Sequence, residues 1–155
     1  EEEVRYLEEG LELAREIKDQ DNEGHILMDL GIASAEQFDL EQAIIYMEAG
    51  YAIANAIDNQ WLMGLIEARW GVVELLSGQI DVATRRFEAA LRWANEASNN
   101  KEIIGLAQFG LAQVAFQTNH LNQARKHLEA GKKVLEGSGH VLINELNVWE
   151  SKNLN

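Results

Sequence analysis

Few residues of this 155-residue chain have the type and spacing that metal binding requires. His25 and Asp29 are four residues apart, which on a helix places two possible ligands on one face. His120 and His127 are seven residues apart, and His140 stands alone. Because single pairs at these spacings often arise by chance, we expect no metal site and no other cofactor.

Motifs for catalysis are equally scarce. The chain has no cysteine, and therefore no thiol nucleophile or thiolate ligand. Its 12 glycines form no phosphate-binding loop, since most recur at fixed intervals and Gly137-Ser138-Gly139 is typical of a turn between helices. The serines lack the strand–turn–helix setting of an activated nucleophile. We therefore expect a protein without enzymatic activity.

The composition favours an all-α fold. The chain is 46% hydrophobic and 25% charged, and it has no proline but abundant Ala, Leu, Glu and Gln, which favour helices. No apolar run reaches the ~18–20 residues that a membrane helix needs. The N-terminus EEEVRYLEEG is also unlike a signal peptide. We expect a cytoplasmic protein.

Charge is distributed unevenly along the chain. Residues 1–60 hold 16 Asp and Glu against three Lys and Arg, a net charge of −13, whereas residues 61–155 hold ten of each. A strongly acidic end repels phosphate backbones and anionic lipid headgroups. We therefore expect neither nucleic acid nor membrane as a partner, and we expect a protein or peptide.

Four nearly identical four-residue segments, called words below, reveal an internal repeat. They are LEEG (7–10), MEAG (47–50), FEAA (87–90) and LEAG (128–131), and the interval between successive words is almost constant. Small residues recur with them at Gly24, Gly64 and Gly105. Helices that cross closely need Gly or Ala at the contact, so these positions predict a stack of similar helix pairs.

The apolar stretches and turn signals predict about eight helices in a single domain. Asp39 with Gln42 predicts a capping box, while Gly78 and Asn119 are suited to the left-handed conformation that ends a helix. The predicted helices span 3–18, 22–36, 40–57, 61–77, 80–97, 101–117, 121–136 and 141–153. The domain 1–155 is thereby divided into a second helix of a partial repeat (1–20), three full repeats (21–60, 61–100 and 101–140), and a first helix or cap (141–155).

Counted from Gly24, the repeat positions resemble the tetratricopeptide repeat. Its eighth position is small, its twentieth is Ala, its twenty-fourth is bulky and its twenty-seventh is small, as in Gly31, Ala43, Met47 and Gly50. The period is longer than the family's usual length of about 34 residues, and the family's usual aromatic positions are not aromatic here. The longer period is similar to that of arrays in MalT-like bacterial regulators and in adaptor scaffolds. The resemblance implies an antiparallel helix-hairpin solenoid, a right-handed superhelix with the first helices on its concave side.

The same resemblance implies a partner-binding surface along the first helices. In the family, the concave positions hold a partner segment, and here they are mostly apolar, so we expect an amphipathic helix or an apolar peptide. Asp29, Arg69 and Gln113 would fix its orientation, and the basic clamp of carboxylate-binding members is missing. The predicted concave positions are His25, Met28, Asp29, Ile32, Leu65, Arg69, Val72, Leu106, Phe109, Gln113 and Phe116.

Other interpretations remain open. The helix predicted over 61–77 is apolar around most of its circumference, which is also typical of a helix buried between neighbours, with Glu67 and Glu74 as a solvated edge. The chain begins without Met inside a repeat, so we expect a segment of a larger regulatory or signalling protein. The alternatives are a self-assembling module that forms homo-oligomers through its terminal helices and, third, a ligand-sensing array of a transcription regulator.

Overall fold

The computed structural model describes residues 2–96 and 100–154, which form eight helices and no strand. Every described boundary lies within two residues of its prediction, and the predicted end of the fifth helix at Ala97 lies outside the described residues. The helices are α1 (Glu2–Glu16), α2 (Gln20–Glu36), α3 (Leu40–Ala56), α4 (Gln60–Leu76), α5 (Ile80–Glu96), α6 (Lys101–Gln117), α7 (Leu121–Leu135) and α8 (Leu142–Asn153).

The helices pack in adjacent pairs and form two rows. The first helices α2, α4, α6 and α8 each contact the next first helix, and the second helices α1, α3, α5 and α7 pack on them. Within the described ranges, no second helix contacts another second helix. The row of first helices is therefore the more tightly spaced one, as on the inner side of a curve. The predicted all-α stack of helix hairpins is confirmed.

The second helices explain why the four words recur. α3, α5 and α7 each turn the same stripe toward the first helices, at spacings of four, three and four residues, which is one face of an α-helix. The central residue of the stripe is fully buried at Met47, Phe87 and Leu128. The buried stripes are Ala43, Met47, Gly50 and Ala54; Ala83, Phe87, Ala90 and Ala94; and Ala124, Leu128, Gly131 and Leu135.

One turn design follows α1, α2, α3, α4 and α6. The second residue after the helix end has a positive φ, and the next N–H donates to a carbonyl five residues back, as Asp39 N does to Ser34 O at 3.0 Å. This is the Schellman arrangement. The left-handed residues are Lys18, Phe38, Asp58, Gly78 and Asn119, and the first four are evenly spaced along the chain.

The predicted capping box at Asp39 is only half formed. The Asp39 carboxylate accepts a hydrogen bond from Gln42 N at 3.2 Å, as the box requires. The N–H of Asp39 is used by the preceding turn, however, so the Gln42 side chain has no donor to reach back to. Asp19 and Asn59 cap α2 and α4 in the same one-sided way.

The end helices bury part of their apolar surface against the stack. Leu11 of α1 is buried and Leu7 is half-buried against α2, whereas Val148 of α8 is exposed. Leu142 and Leu146 of α8 are buried, and Lys132 of α7 pairs with Glu150 at 2.5 Å. Among residues 2–96 and 100–154, no helix combines the length and apolar character that crossing a bilayer requires.

Candidate functional site

The predicted concave positions form what we call the inner face, but three of them face the core. Met28, Leu65 and Leu106 are 6%, 4% and 6% exposed, and all three belong to the buried core cluster. Little of these three side chains is accessible to a partner in this conformation. The resemblance to the repeat family implied positions on the first helices but not how closely those helices pack.

The remaining predicted positions stay accessible. Asp29 is exposed, and the others are half-buried, so part of each side chain reaches solvent. The half-buried ring of His25 hydrogen-bonds through Nδ1 to Asp21 O at 2.9 Å and lies 5.7 Å from the Trp61 ring, centroid to centroid. The other accessible positions are Ile32, Arg69, Val72, Phe109, Gln113 and Phe116.

Trp149 of α8 joins the inner face to the end of the stack. Its ring meets Phe109 and Phe116 edge-on, with centroids 5.8 and 5.4 Å apart and interplanar angles of 82° and 80°. Such edge-to-face pairs are favourable beyond the area they bury. α8 therefore covers one side of both phenylalanines, and sequence analysis, which treated α8 as a terminal helix, did not include Trp149 in the site.

A cavity of about 300 Å³ opens beside this aromatic cluster, between α4, α6 and α8. It includes three predicted positions, Val72, Gln113 and Phe116. Leu76, which is 53% exposed, stands at its edge. No charged side chain lines it, and its polar groups are the amides of two glutamines and one asparagine. The lining residues, which we call the inner cavity, are Val72, Leu75, Leu76, Gln113, Phe116, Gln117, Trp149 and Asn153.

Ionisable side chains bridge α4, the N-terminal end of α6 and the segment before α8, away from this cavity. Arg69 Nη2 lies 3.7 Å from Glu102 Oε1, and His140 Nε2 lies 4.0 Å from the same oxygen. Arg69 is thus engaged with α6, although its buried Nε has no hydrogen-bond partner. Desolvation raises the pKa of the Asp29 carboxyl even though the residue is exposed, and the nearby charges of His25 and Arg69 oppose that shift.

The two glutamates of α4 are buried, so the prediction of a solvated edge is wrong. Glu67 and Glu74 are 6% and 8% exposed, because α4 is enclosed by α2, α3, α5 and α6. Arg86 Nη1 donates to Glu67 Oε2 at 3.1 Å, and the Arg86 guanidinium lies 3.4 Å from the Trp70 ring centroid. Burial raises the pKa of Glu67 in spite of that ion pair.

Among the described residues, no group of three or more His, Asp or Glu side chains is placed to hold a metal ion. The inner cavity combines apolar walls with amide groups, which suits an apolar side chain carried on a hydrogen-bonding backbone. Comparison with protein-family models and with curated proteins finds no match.

Proposed function

We propose that this chain is a tetratricopeptide-like binding module that holds an amphipathic helix or an apolar peptide segment of a cytoplasmic partner protein. The observation that carries the proposal is the uncharged inner cavity between α4, α6 and α8. A large apolar side chain of the partner would enter this cavity and pack against Leu76, Phe116 and Trp149. Binding, without catalysis, would be its contribution to a larger regulatory or signalling protein.

The surroundings of the cavity support a peptide over a flat protein surface. Gln113, Gln117 and Asn153 supply both donors and acceptors at its edge, which a peptide backbone can use. Arg69, Glu102 and His140 form a polar group on the inner row, so a partner with apolar residues at one end and polar residues at the other would match it.

A selection experiment tests the proposal with a defined ligand. Wild-type protein is used to select binders from a library of short random peptides, and one selected peptide is titrated against two variants. Leu76→Glu places a charge at the inner cavity, while Leu13→Glu is the matched control, since Leu13 is 57% exposed on α1 and remote in the stack. We expect Leu76→Glu to weaken binding by about tenfold or more and Leu13→Glu to leave it unchanged.

Two results would contradict the proposal. One is a failure to select any peptide enriched in large apolar residues. The other is a selected peptide that binds the Leu76→Glu protein as tightly as the wild type, with the helical content of both proteins equal by circular dichroism.

A second function, end-to-end assembly of copies, rests on a different surface. Tyr6 and Leu13 of α1 and Ile17 directly after it are 58%, 57% and 63% exposed, and they form an apolar row at this end of the stack. At the other end of the stack, Val141 and Val148 are exposed as well. Such uncovered ends favour stacking of repeat arrays. Sedimentation at rising concentration tests it: growth in mass that Leu13→Glu abolishes would support assembly, and a constant monomer mass would remove it.

A further inference from the structure

A second cavity lies on the opposite side of α4, in the space between the outer helices. Because α3 and α5 do not contact each other in the described structure, α4 is the floor between them. The cavity measures about 310 Å³, at the lower end of ligand pockets. Its lining, which we call the outer cleft, is Tyr51, Glu67, Ala89, Arg92, Trp93 and Glu96.

The outer cleft has two aromatic walls. Tyr51 projects from α3 and Trp93 from α5, and both side chains are half-buried. Desolvation raises the pKa of the Tyr51 phenol and the nearby Glu67 carboxylate raises it further, so the phenol stays neutral and can act as a hydrogen-bond donor. The faces of tyrosine and tryptophan rings attract cations.

A buried carboxylate forms the floor of the cleft. Glu67 is only 6% exposed, and its Oε2 accepts the Arg86 hydrogen bond. Arg86 is held away from the cavity lining by stacking on Trp70. The lining itself therefore carries two carboxylates, Glu67 and Glu96, against the single guanidinium of Arg92.

Of the two helices that flank the cleft, α3 is the acidic one, whereas α5 carries Arg85, Arg86 and Arg92 and pairs Arg86 with Glu67. α3 carries Glu41 and Glu48 and no Lys or Arg. Burying a carboxylate is costly unless a cation or donor group satisfies it. Aromatic walls, a carboxylate floor and an acidic flank together select a ligand that is positively charged, carries N–H donors and is small enough for about 310 Å³.

We propose that the outer cleft binds a small organic cation, an alkylammonium or guanidinium group, whose N–H donors meet Glu67 while its charge lies beside the Tyr51 and Trp93 rings. This group belongs either to a free metabolite-sized amine or to a lysine or arginine side chain of a partner peptide. The site is independent of the inner cavity, since Glu67 and Trp93 do not line that cavity.

Calorimetric titration of the purified chain tests the proposal. The probes are n-butylammonium and N-ethylguanidinium as free cations, and the terminally blocked amides of lysine and arginine as peptide-like cations. Butanamide is the neutral control. We expect a cation to bind with saturation, butanamide not to bind, and the Trp93 indole N–H signal in a ¹H–¹⁵N spectrum to shift with the cation. Preference for the free cations or for the blocked amides identifies the source of the group.

Two variants locate the binding. Glu67→Gln removes the negative charge of the floor but keeps an acceptor for Arg86, and we expect it to weaken cation binding by about tenfold or more. Glu74→Gln is the matched control, because Glu74 is buried on the same helix and lies outside the cleft. If Glu67→Gln fails to fold, Trp93→Leu at a half-buried position serves as the second test and should lose binding while α4 keeps its glutamates.

Clear outcomes would overturn the proposal. Butanamide that binds as well as n-butylammonium would show that charge is not recognised. Equal cation affinities of the wild-type, Glu67→Gln and Trp93→Leu proteins would place any binding elsewhere. The absence of saturable binding by all four cations would remove the site altogether.

Discussion

The phenyl ring of Phe87 lies against Gly110 so closely that no Cβ fits between them. Gly71 faces the same ring from α4, where an added Cβ would be 2.6 Å from Phe87 Cε1. Phe87 is fully buried, so the ring is wedged between two consecutive first helices. The third repeat solves the same contact with smaller Leu128 and a larger neighbour, Ala112, at the position equivalent to Gly71. A larger buried residue in the second helix is thus accompanied by a smaller residue in the first helix.

This contact predicts that Gly110→Ala destabilises the fold. Alanine favours helix by about 1 kcal/mol over glycine, but overpacking a filled core costs about 1–3 kcal/mol, so we expect a lower free energy of unfolding. Chemical denaturation followed by circular dichroism measures it. Adding Phe87→Leu should restore part of the loss, because the smaller side chain leaves room for the new methyl group.

Gly10→Ala is the control for that variant. A Cβ at Gly10 would meet only Ile26 Cδ1 at 3.5 Å, an ordinary contact, so we expect the helix propensity of alanine to dominate and stability to rise. Equal effects of the two substitutions would show that the Phe87 contact does not limit residue size at Gly110.

The left-handed turns predict a stabilising substitution at Phe38. Its φ is +61° and its side chain is 80% exposed, so the residue bears the left-handed conformation without packing that offsets the cost. Phe38→Gly should raise the free energy of unfolding by about 0.5–1 kcal/mol. Gly78→Ala, at φ +75° in the equivalent turn, should lower it by about 1 kcal/mol. Thermal melts of both variants check the opposite signs.

Burial of His127 predicts loss of stability on acidification. Desolvation lowers the pKa of this ring in the folded state, and its Nδ1 lies 2.8 Å from Gln108 Oε1. As pH falls through the unfolded-state value of about 6.5, the unfolded chain takes up a proton that the folded chain resists, so the free energy of unfolding decreases. Urea titrations at several pH values should show this decrease, and His127→Gln should remove it.

The matched control for His127 is His120→Gln. His120 is exposed, so its replacement should leave the pH profile of the wild type intact. An unchanged profile in the His127→Gln protein would contradict the assignment of the acid response to the buried ring.

Glu67 predicts a pH dependence of the opposite sign. Because burial raises its pKa in the folded state, the folded chain holds its proton more tightly than the unfolded chain. The free energy of unfolding should therefore fall as pH rises above the unfolded-state value of about 4.3. The Glu67→Gln protein should lack this component, so the difference in stability between variant and wild type should grow with pH. A constant difference would contradict the raised pKa.

The helices and their pairing were predictable because one physical signal repeats. Small residues at fixed steps, such as Gly24, Gly64 and Gly105, mark crossings that every repeat must make, and each copy strengthens the prediction from the others. The left-handed conformations of Lys18, Phe38 and Asp58 were not predicted. A glycine such as Gly78 suggests a positive φ by its residue type, whereas these three residue types do not. Their even spacing, with one at the end of each successive helix, is the pattern that reveals them.

The candidate site was less predictable than the fold. Polar residues on a helix usually mark its exposed side, and this rule fails for Glu67 because α4 has neighbours on every side. α4 is apolar around most of its circumference, so it has no solvated side on which its glutamates could lie. This property of the sequence could have predicted their burial. Trp149 was missed because its contact with Phe109 and Phe116 depends on how α8 docks, which repeat position alone does not determine.

The shared turn design has a consequence for how each helix is assigned to one of the two rows. After α1, α2, α3, α4 and α6, which belong to both rows, the backbone reverses through a residue in the same left-handed conformation and the same five-residue-back hydrogen bond, so these five turns are interchangeable. A slide of the chain by one helix would exchange turns of the same design. Only the helix surfaces disfavour such a slide. It would place the charged helices α5 and α7 in the tightly spaced row of first helices and would expose the apolar α4 to water. The surfaces of the helices therefore determine which row each helix joins, and the turns do not.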